Sequence, residues 1–144
     1  LVAGSPSSPD AREGLEALAH ECGVADRVKF DVRMLSRLEI ASAVNHSIGS
    51  AYVPIDEDSV GYVTLEAFQA SKPVITTSDS GSVLEIVRHG DTGLVCEPTP
   101  QSLGAAMSRM YEEPGLSEAM GRRAKGNLGE LNLTWPDTIA RLLS

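Results

Sequence analysis

The sequence predicts an α/β fold, a doubly wound parallel sheet with helices on both faces and further helices after the last strand. Two observations predict it. Short apolar runs alternate with helical patterns along most of the chain. Several of those runs are continuous rather than alternating, as expected for parallel strands covered on both faces.

The predicted strands are Leu1–Ala3, Val28–Val32, Ala51–Pro54, Val74–Thr77 and Gly93–Cys96, each bounded by turn residues. The first helix follows a capping box of Asp10 and Glu13, buries Leu15, Leu18, Ala19 and Cys22, and stops at Gly23. The second fits Ser36 to about Asn45 with Leu38, Ala41 and Val44 on one face. The third is short, carries Glu66 and ends before Lys72-Pro73, because proline cannot continue it. The fourth fits Ser82 to about His89, with Ser82 as its cap. After the last strand, Thr99 as cap and Pro100 at the first position start a helix that buries Leu103, Ala106, Met107 and Met110. Glu113-Pro-Gly115 breaks it. A helix from about Leu116 to Leu128 follows, then a last one from Thr134 that buries Trp135, Ile139, Leu142 and Leu143.

At 144 residues and 42% hydrophobic composition the chain is expected to form one domain, 1–144, with a real core. It starts inside a strand, which reads as a piece of something longer. No stretch has the length of a membrane span and no signal peptide is visible, so the expected location is cytoplasmic. A net charge of −8 argues against bare nucleic acid as a partner. Cys22 and Cys96 fit no metal or redox spacing and are expected to be reduced and buried. His20, His46 and His89 form no metal-ligand pair, and Ser78, Ser80 and Ser82 have no nucleophile-elbow context, so no metal site is expected.

In doubly wound sheets ligands sit outside the C-terminal ends of the strands. The richest loop there is Pro54-Ile-Asp-Glu-Asp-Ser-Val-Gly-Tyr62. Three acids precede a glycine that permits close backbone approach, and then a helix start whose N–H groups favour an anion. Acids beside a phosphate would repel it, so Asp56, Glu57 or Asp58 is better suited to hydroxyls. Glu66 is a second hydroxyl-binding candidate, because a carboxylate accepts two hydrogen bonds from a sugar diol. A solvated acidic loop and an exposed helix residue remain the plain alternative.

The segment Gly61-Tyr-Val-Thr-Leu-Glu-Ala-Phe68, followed by Ser71-Lys-Pro-Val-Ile75, Ser80-Gly-Ser-Val-Leu-Glu-Ile-Val87 and Gly90-Asp-Thr-Gly-Leu-Val95, resembles the donor-binding core of family 4 glycosyltransferases, which have the GT-B fold. Ala3-Gly-Ser-Pro6 and Gly23-Val-Ala-Asp-Arg-Val-Lys-Phe30 are similar to that family's further motifs, so the resemblance covers nearly the whole chain. It implies a Rossmann-like, N-terminally truncated C-terminal domain, one half of a GT-B fold.

The resemblance also implies a function. The full-length protein would be a retaining, metal-independent transferase of the hexosyltransferase type, with a nucleoside-diphosphate sugar as donor and no cofactor. Glu66 corresponds to the family's second glutamate, which binds ribose. The first glutamate, eight residues earlier, contacts the transferred sugar; here that position is Asp58, and the nearest glutamate, Glu57, is one residue further away. Either Asp58 takes the role or the loop bulges to bring in Glu57. Val60, Gly61, Tyr62 and Val63 would face the sugar and diphosphate, Gly4 and Ser5 the nucleotide, and Arg33 and Met34 the base. The acceptor-binding N-terminal domain and the phosphate-binding Arg and Lys of the first β-α unit are expected outside this sequence, so the fragment alone is expected to be inactive. Peripheral membrane contact would come through that other domain. A non-catalytic nucleotide-binding or interaction module on the same fold is the competing reading.

Overall fold

A computed structural model describes residues 1–5, 8, 10–130, 139 and 143. Of the predicted helix from Thr134, Trp135 and Leu142 lie outside the described residues, while Ile139 and Leu143, expected to be buried, are 50% and 82% exposed. The chain divides into two compact units, Leu1–Ile40 and Ala41–Ser144.

In the first unit, β1 (Val2–Ala3) and β2 (Phe30–Asp31) pair in parallel, Val2 opposite Phe30 and Ala3 opposite Asp31. Helix α1 (Ala11–Glu21) joins them through a 3-10 turn at Ala25–Arg27. The Asp10–Glu13 box does not form: Asp10 stands at the N-cap without a side-chain cap bond. Of the predicted apolar face only Ala19 is buried, while Leu15 and Leu18 are 40% and 55% exposed and Cys22 is exposed. Among the described residues this unit's sheet is two strands of two residues, too little surface to cover a three-turn helix.

Helix α2 (Arg37–Asn45) spans the boundary between the units. Its start holds the capping box that Asp10 lacks: the Ser36 hydroxyl accepts from the Glu39 N–H at 3.3 Å, and the Glu39 carboxylate accepts from the Ser36 N–H at 2.8 Å. Of its predicted face, Leu38 is 84% exposed and Ala41 is also exposed, leaving Val44 as the member that packs.

The second unit carries a three-stranded parallel sheet, β3 (Ser50–Ala51), β4 (Val74–Thr77) and β5 (Gly93–Cys96), with β4 in the middle. Between β3 and β4 lies α3 (Tyr62–Gln69). After β5 come α4 (Pro100–Glu112) and α5 (Pro114–Glu130). Strand β4 is buried at every position and its side chains alternate between two cores. Val74 joins Ala67 and Phe68 of α3, Val83, Ile86, Val87 and Ala124 on one face. Ile75 joins Leu94, Ala106, Met110 and Met120 on the other.

The predicted helix from Ser82 is a 3-10 helix, Gly81–Glu85. Ser82 does not cap it. The chain turns away after it because the Thr92 hydroxyl accepts from the Arg88 N–H at 2.8 Å and donates to the Ile86 carbonyl at 2.7 Å, taking a carbonyl that a longer helix would need. Thr99 caps α4 as predicted, accepting from the Ser102 N–H at 3.2 Å, but Met107 is 46% exposed. The predicted break holds, since α4 ends at Glu112 with Glu113 as its cap, and α5 opens at Pro114 rather than near Leu116, because a missing N–H costs nothing at a first helical position. One α5 side chain reaches back to the turn before β5. Arg123 donates to the Asp91 carboxylate at 2.8 Å and to the Asp91 and Gly90 carbonyls at 3.0 Å.

Candidate functional site

The Pro54–Tyr62 loop leaves the C-terminal end of β3 and enters α3. Its course is fixed by backbone bonds to the loop that leaves β4. The Asp56 N–H donates to the Asp79 carbonyl and the Ser82 N–H to the Glu57 carbonyl, both at 2.8 Å. Gly81 sits against this junction with φ +63°; a Cβ there would lie 2.7 Å from the Glu57 nitrogen and 2.9 Å from the Asp56 carbonyl carbon, and would strike the Glu57 oxygen. The β4 loop is itself tied down by Ser80, which is fully buried. Its hydroxyl accepts from Thr76 Oγ1 at 2.7 Å and from the Thr77 N–H at 3.1 Å.

The three acids of the loop have different surroundings. Asp56 has φ +47° and is exposed, its backbone held by Asp79. Glu57 is half-buried and tied on both oxygens, with the Tyr52 hydroxyl donating to Oε2 and the Ser59 hydroxyl to Oε1, each at 3.3 Å. Asp58 is exposed and no side chain among the described residues bonds its carboxylate. Burial, reinforced by the charge of Glu57, pushes the Tyr52 phenol above its ordinary pKa, so its hydroxyl keeps the proton it donates.

Gly61 is the N-cap of α3 with φ +67°. Its carbonyl accepts from the Thr64 N–H at 3.1 Å, while the Tyr62 and Val63 N–H groups precede the first intrahelical bond and have no backbone partner among the described residues. Tyr62 is 84% exposed and Val63 40%, whereas Thr64, Ala67 and Phe68 turn into the core. Glu66 projects from the exposed face of the same helix. Val60 packs half-buried against the core behind the loop. A cleft of about 520 Å³, lined in part by Ile55, Thr77 and Asp79, opens beside it. Sequence reasoning gave Tyr52 and Asp79 no part in this loop and did not foresee that Ser80 ties down the β4 loop.

The remaining candidates belong to the first unit. Gly4 follows β1 with φ +134°, its N–H donating to the Asp31 carbonyl at 3.3 Å, and Ser5 beside it is exposed. Met34 is 79% exposed. Arg33 is held between two acids, its Nε 2.8 Å from the Asp31 carboxylate and its Nη2 2.6 Å from Glu39. That guanidinium, helped by the Ser36 N–H and hydroxyl, lowers the Glu39 carboxyl from its ordinary 4.5 to about 2. The stability this contributes is present above about pH 4.5 and is lost as pH falls toward 2. A carboxyl NMR titration should place Glu39 near pH 2, and Arg33→Ala should return it toward 4.5. A midpoint unmoved by that substitution would contradict the pairing.

Among the described residues no group of three His, Cys, Asp or Glu could hold a metal ion, and no helix is long and apolar enough to cross a membrane. His20 is exposed, and the His46 and His89 rings bond backbone carbonyls of Ser42 and Val95.

Comparison with known proteins bears on this geometry. The α-1,3/1,6-mannosyltransferase of Mus musculus is 30% identical over 125 residues, which cover 87% of this chain and 29% of that protein. The D-inositol 3-phosphate glycosyltransferase of Actinosynnema mirum is 34% identical over 147 residues, covering all of this chain and 34% of its own length. The chain thus spans about a third of the curated relatives it matches. Among solved structures, the sucrose-phosphate synthase of Thermosynechococcus elongatus superposes with a TM-score of 0.78 at 23% identity, over 98% of this chain and 36% of that one. An Anabaena protein in complex with UDP and glucose superposes with a TM-score of 0.77 at 22% identity, over 89% of this chain and 35% of that one. These show the fold, which is that of GT-B glycosyltransferase domains. The family model for glycosyl transferases group 1 matches residues 1–127, and the chain belongs to that family.

Proposed function

We propose that this chain is the donor-binding domain of a retaining glycosyltransferase, one that moves a sugar from a nucleoside-diphosphate sugar to an acceptor without a metal. The observation that carries the reading is α3, a helix buried on one face and presenting Glu66, Tyr62 and two unused N–H groups on the other, directly after Asp58. In this reading Glu66 accepts from the ribose hydroxyls and Asp58 from hydroxyls of the transferred sugar. The Tyr62 and Val63 N–H groups meet the diphosphate at the positive end of the helix. Gly4 and Ser5 serve the nucleotide and Met34 the base. Arg33 is already paired with Asp31 and Glu39 and contributes as a fixed guanidinium rather than a free cation. Support comes from the family membership and from the UDP and glucose held by the Anabaena protein of like fold.

Leaving-group charge must be stabilised as the donor bond breaks. The groups for that, and those for the acceptor, belong to the rest of a protein that works in the cytoplasm. The test is calorimetric titration with UDP-glucose, GDP-mannose and ADP-glucose. Glu66→Ala should weaken the donor that binds by about tenfold to a hundredfold, as expected when hydrogen bonds to a charged group are lost. Unchanged affinity in Glu66→Ala would remove the ribose role.

A further inference from the structure

We propose that Tyr52 is a positioning residue of the donor site, using Glu57 as a strut so that Asp58 is the acid presented to the sugar. The inference rests on the donor-binding reading and adds a residue that the family motif does not contain.

Three contacts carry it. First, Tyr52 is held by its backbone and its ring. Its N–H donates to the Ile75 carbonyl of β4 at 3.0 Å, and its ring packs half-buried against the core that holds Phe68. Second, the ring lies under the hinge between loop and helix. A Cβ on Gly61 would stand 2.5 Å from its Cε1 and 3.2 Å from its hydroxyl oxygen. Third, that hydroxyl donates to Glu57 Oε2. One side chain therefore meets the loop at two points, Glu57 in its middle and Gly61 where it enters the helix.

The chemistry of the acids follows. Glu57 spends Oε2 on Tyr52, Oε1 on Ser59 and its carbonyl on Ser82. These contacts fix the direction in which the Glu57 side chain points, toward Tyr52 and Ser59. Asp58, next in the chain, is exposed and has no such partner among the described residues. Holding the first acid places the second. Of the two assignments the sequence leaves open, the geometry favours Asp58, with Glu57 acting through the loop.

Tyr52→Phe is the informative variant, because it keeps the ring under Gly61 and removes only the hydroxyl. The intact protein is titrated with UDP-glucose, GDP-mannose and ADP-glucose, each paired with its free nucleoside diphosphate. The difference within a pair isolates the sugar contribution. For the donor that binds, Tyr52→Phe should lose at least fivefold of the sugar-dependent affinity, and Asp58→Ala should abolish that contribution. Both should leave the free nucleotide within twofold. The double variant should lose no more than Asp58→Ala alone, since both changes act on one contact. Tyr52→Phe with full sugar-dependent affinity, or losses that simply add, would overturn the proposal. A wild-type protein that binds no member of the panel would remove the donor-binding reading instead, which keeps the two failures distinct.

Discussion

Alanine at Phe68 is expected to remove about 3–5 kcal/mol of folding stability, read as a lower midpoint in urea at constant slope. Phe68 is fully buried and belongs to the core cluster with Ala67, Val74, Val83, Ile86, Val87 and Ala124. These neighbours come from α3, β4, the Gly81–Glu85 turn with the residues just after it, and α5. No single element can close the hole, so the cavity cost adds to the transfer cost. Against a usual total of about 5–15 kcal/mol the loss is large. It also reaches the site, because Phe68 lies two residues from Glu66 and anchors the face opposite it. Phe68→Leu should recover much of the loss. A shift below about 1 kcal/mol would mean that the cluster collapses around the gap and that α3 is not anchored there.

Alanine at Gly81 is expected to damage both stability and donor binding, and a second glycine supplies the control. Gly81 and Gly90 have similar backbones, φ +63° and +75°. Both should pay about 1–2 kcal/mol for a Cβ in the left-handed region. They differ in what that Cβ meets. At Gly90 there is nothing within 4 Å; at Gly81 there is the backbone of Asp56 and Glu57. Backbone held by paired hydrogen bonds cannot swing aside as a side-chain tip can. Gly81→Ala should therefore melt lower than Gly90→Ala and should lose donor affinity that Gly90→Ala keeps. Equal melting and equal binding in the two variants would show that the acid loop accommodates the methyl.

What could be read from the sequence follows from where each constraint lies. Val74–Thr77 and Gly93–Cys96 were legible to the residue, because burial on both faces leaves continuous apolar runs cut by turn residues. The other strands are shorter than the runs that announce them. Val28 and Lys29 are apolar or extended in pattern, yet the ladder with β1 forms only at Phe30 and Asp31. The apolar pattern of α1 was real, but a pattern states preference and not supply; within its unit Leu15 and Leu18 find nothing broad enough to cover them. In the candidate site, Asp58 or Glu57, Gly61 and Glu66 could be singled out because their spacing is local. The grip of Tyr52 on the loop and the seat of Gly81 under Glu57 were not. The second joins residues 24 positions apart, and its chemistry is backbone to backbone, which leaves no mark in residue type.

The Arg123 contact has a kinetic meaning. It joins residues 32 and 33 positions apart, and Asp91 leads directly into β5. Closing so long a segment costs chain entropy before any contact can offset it, and contacts of long separation slow folding. The turn that starts β5 is fully gripped only once α5 is in place. The turn before β5 should accordingly settle late, and a chain emerging during synthesis would hold it unsettled until α5 has been made.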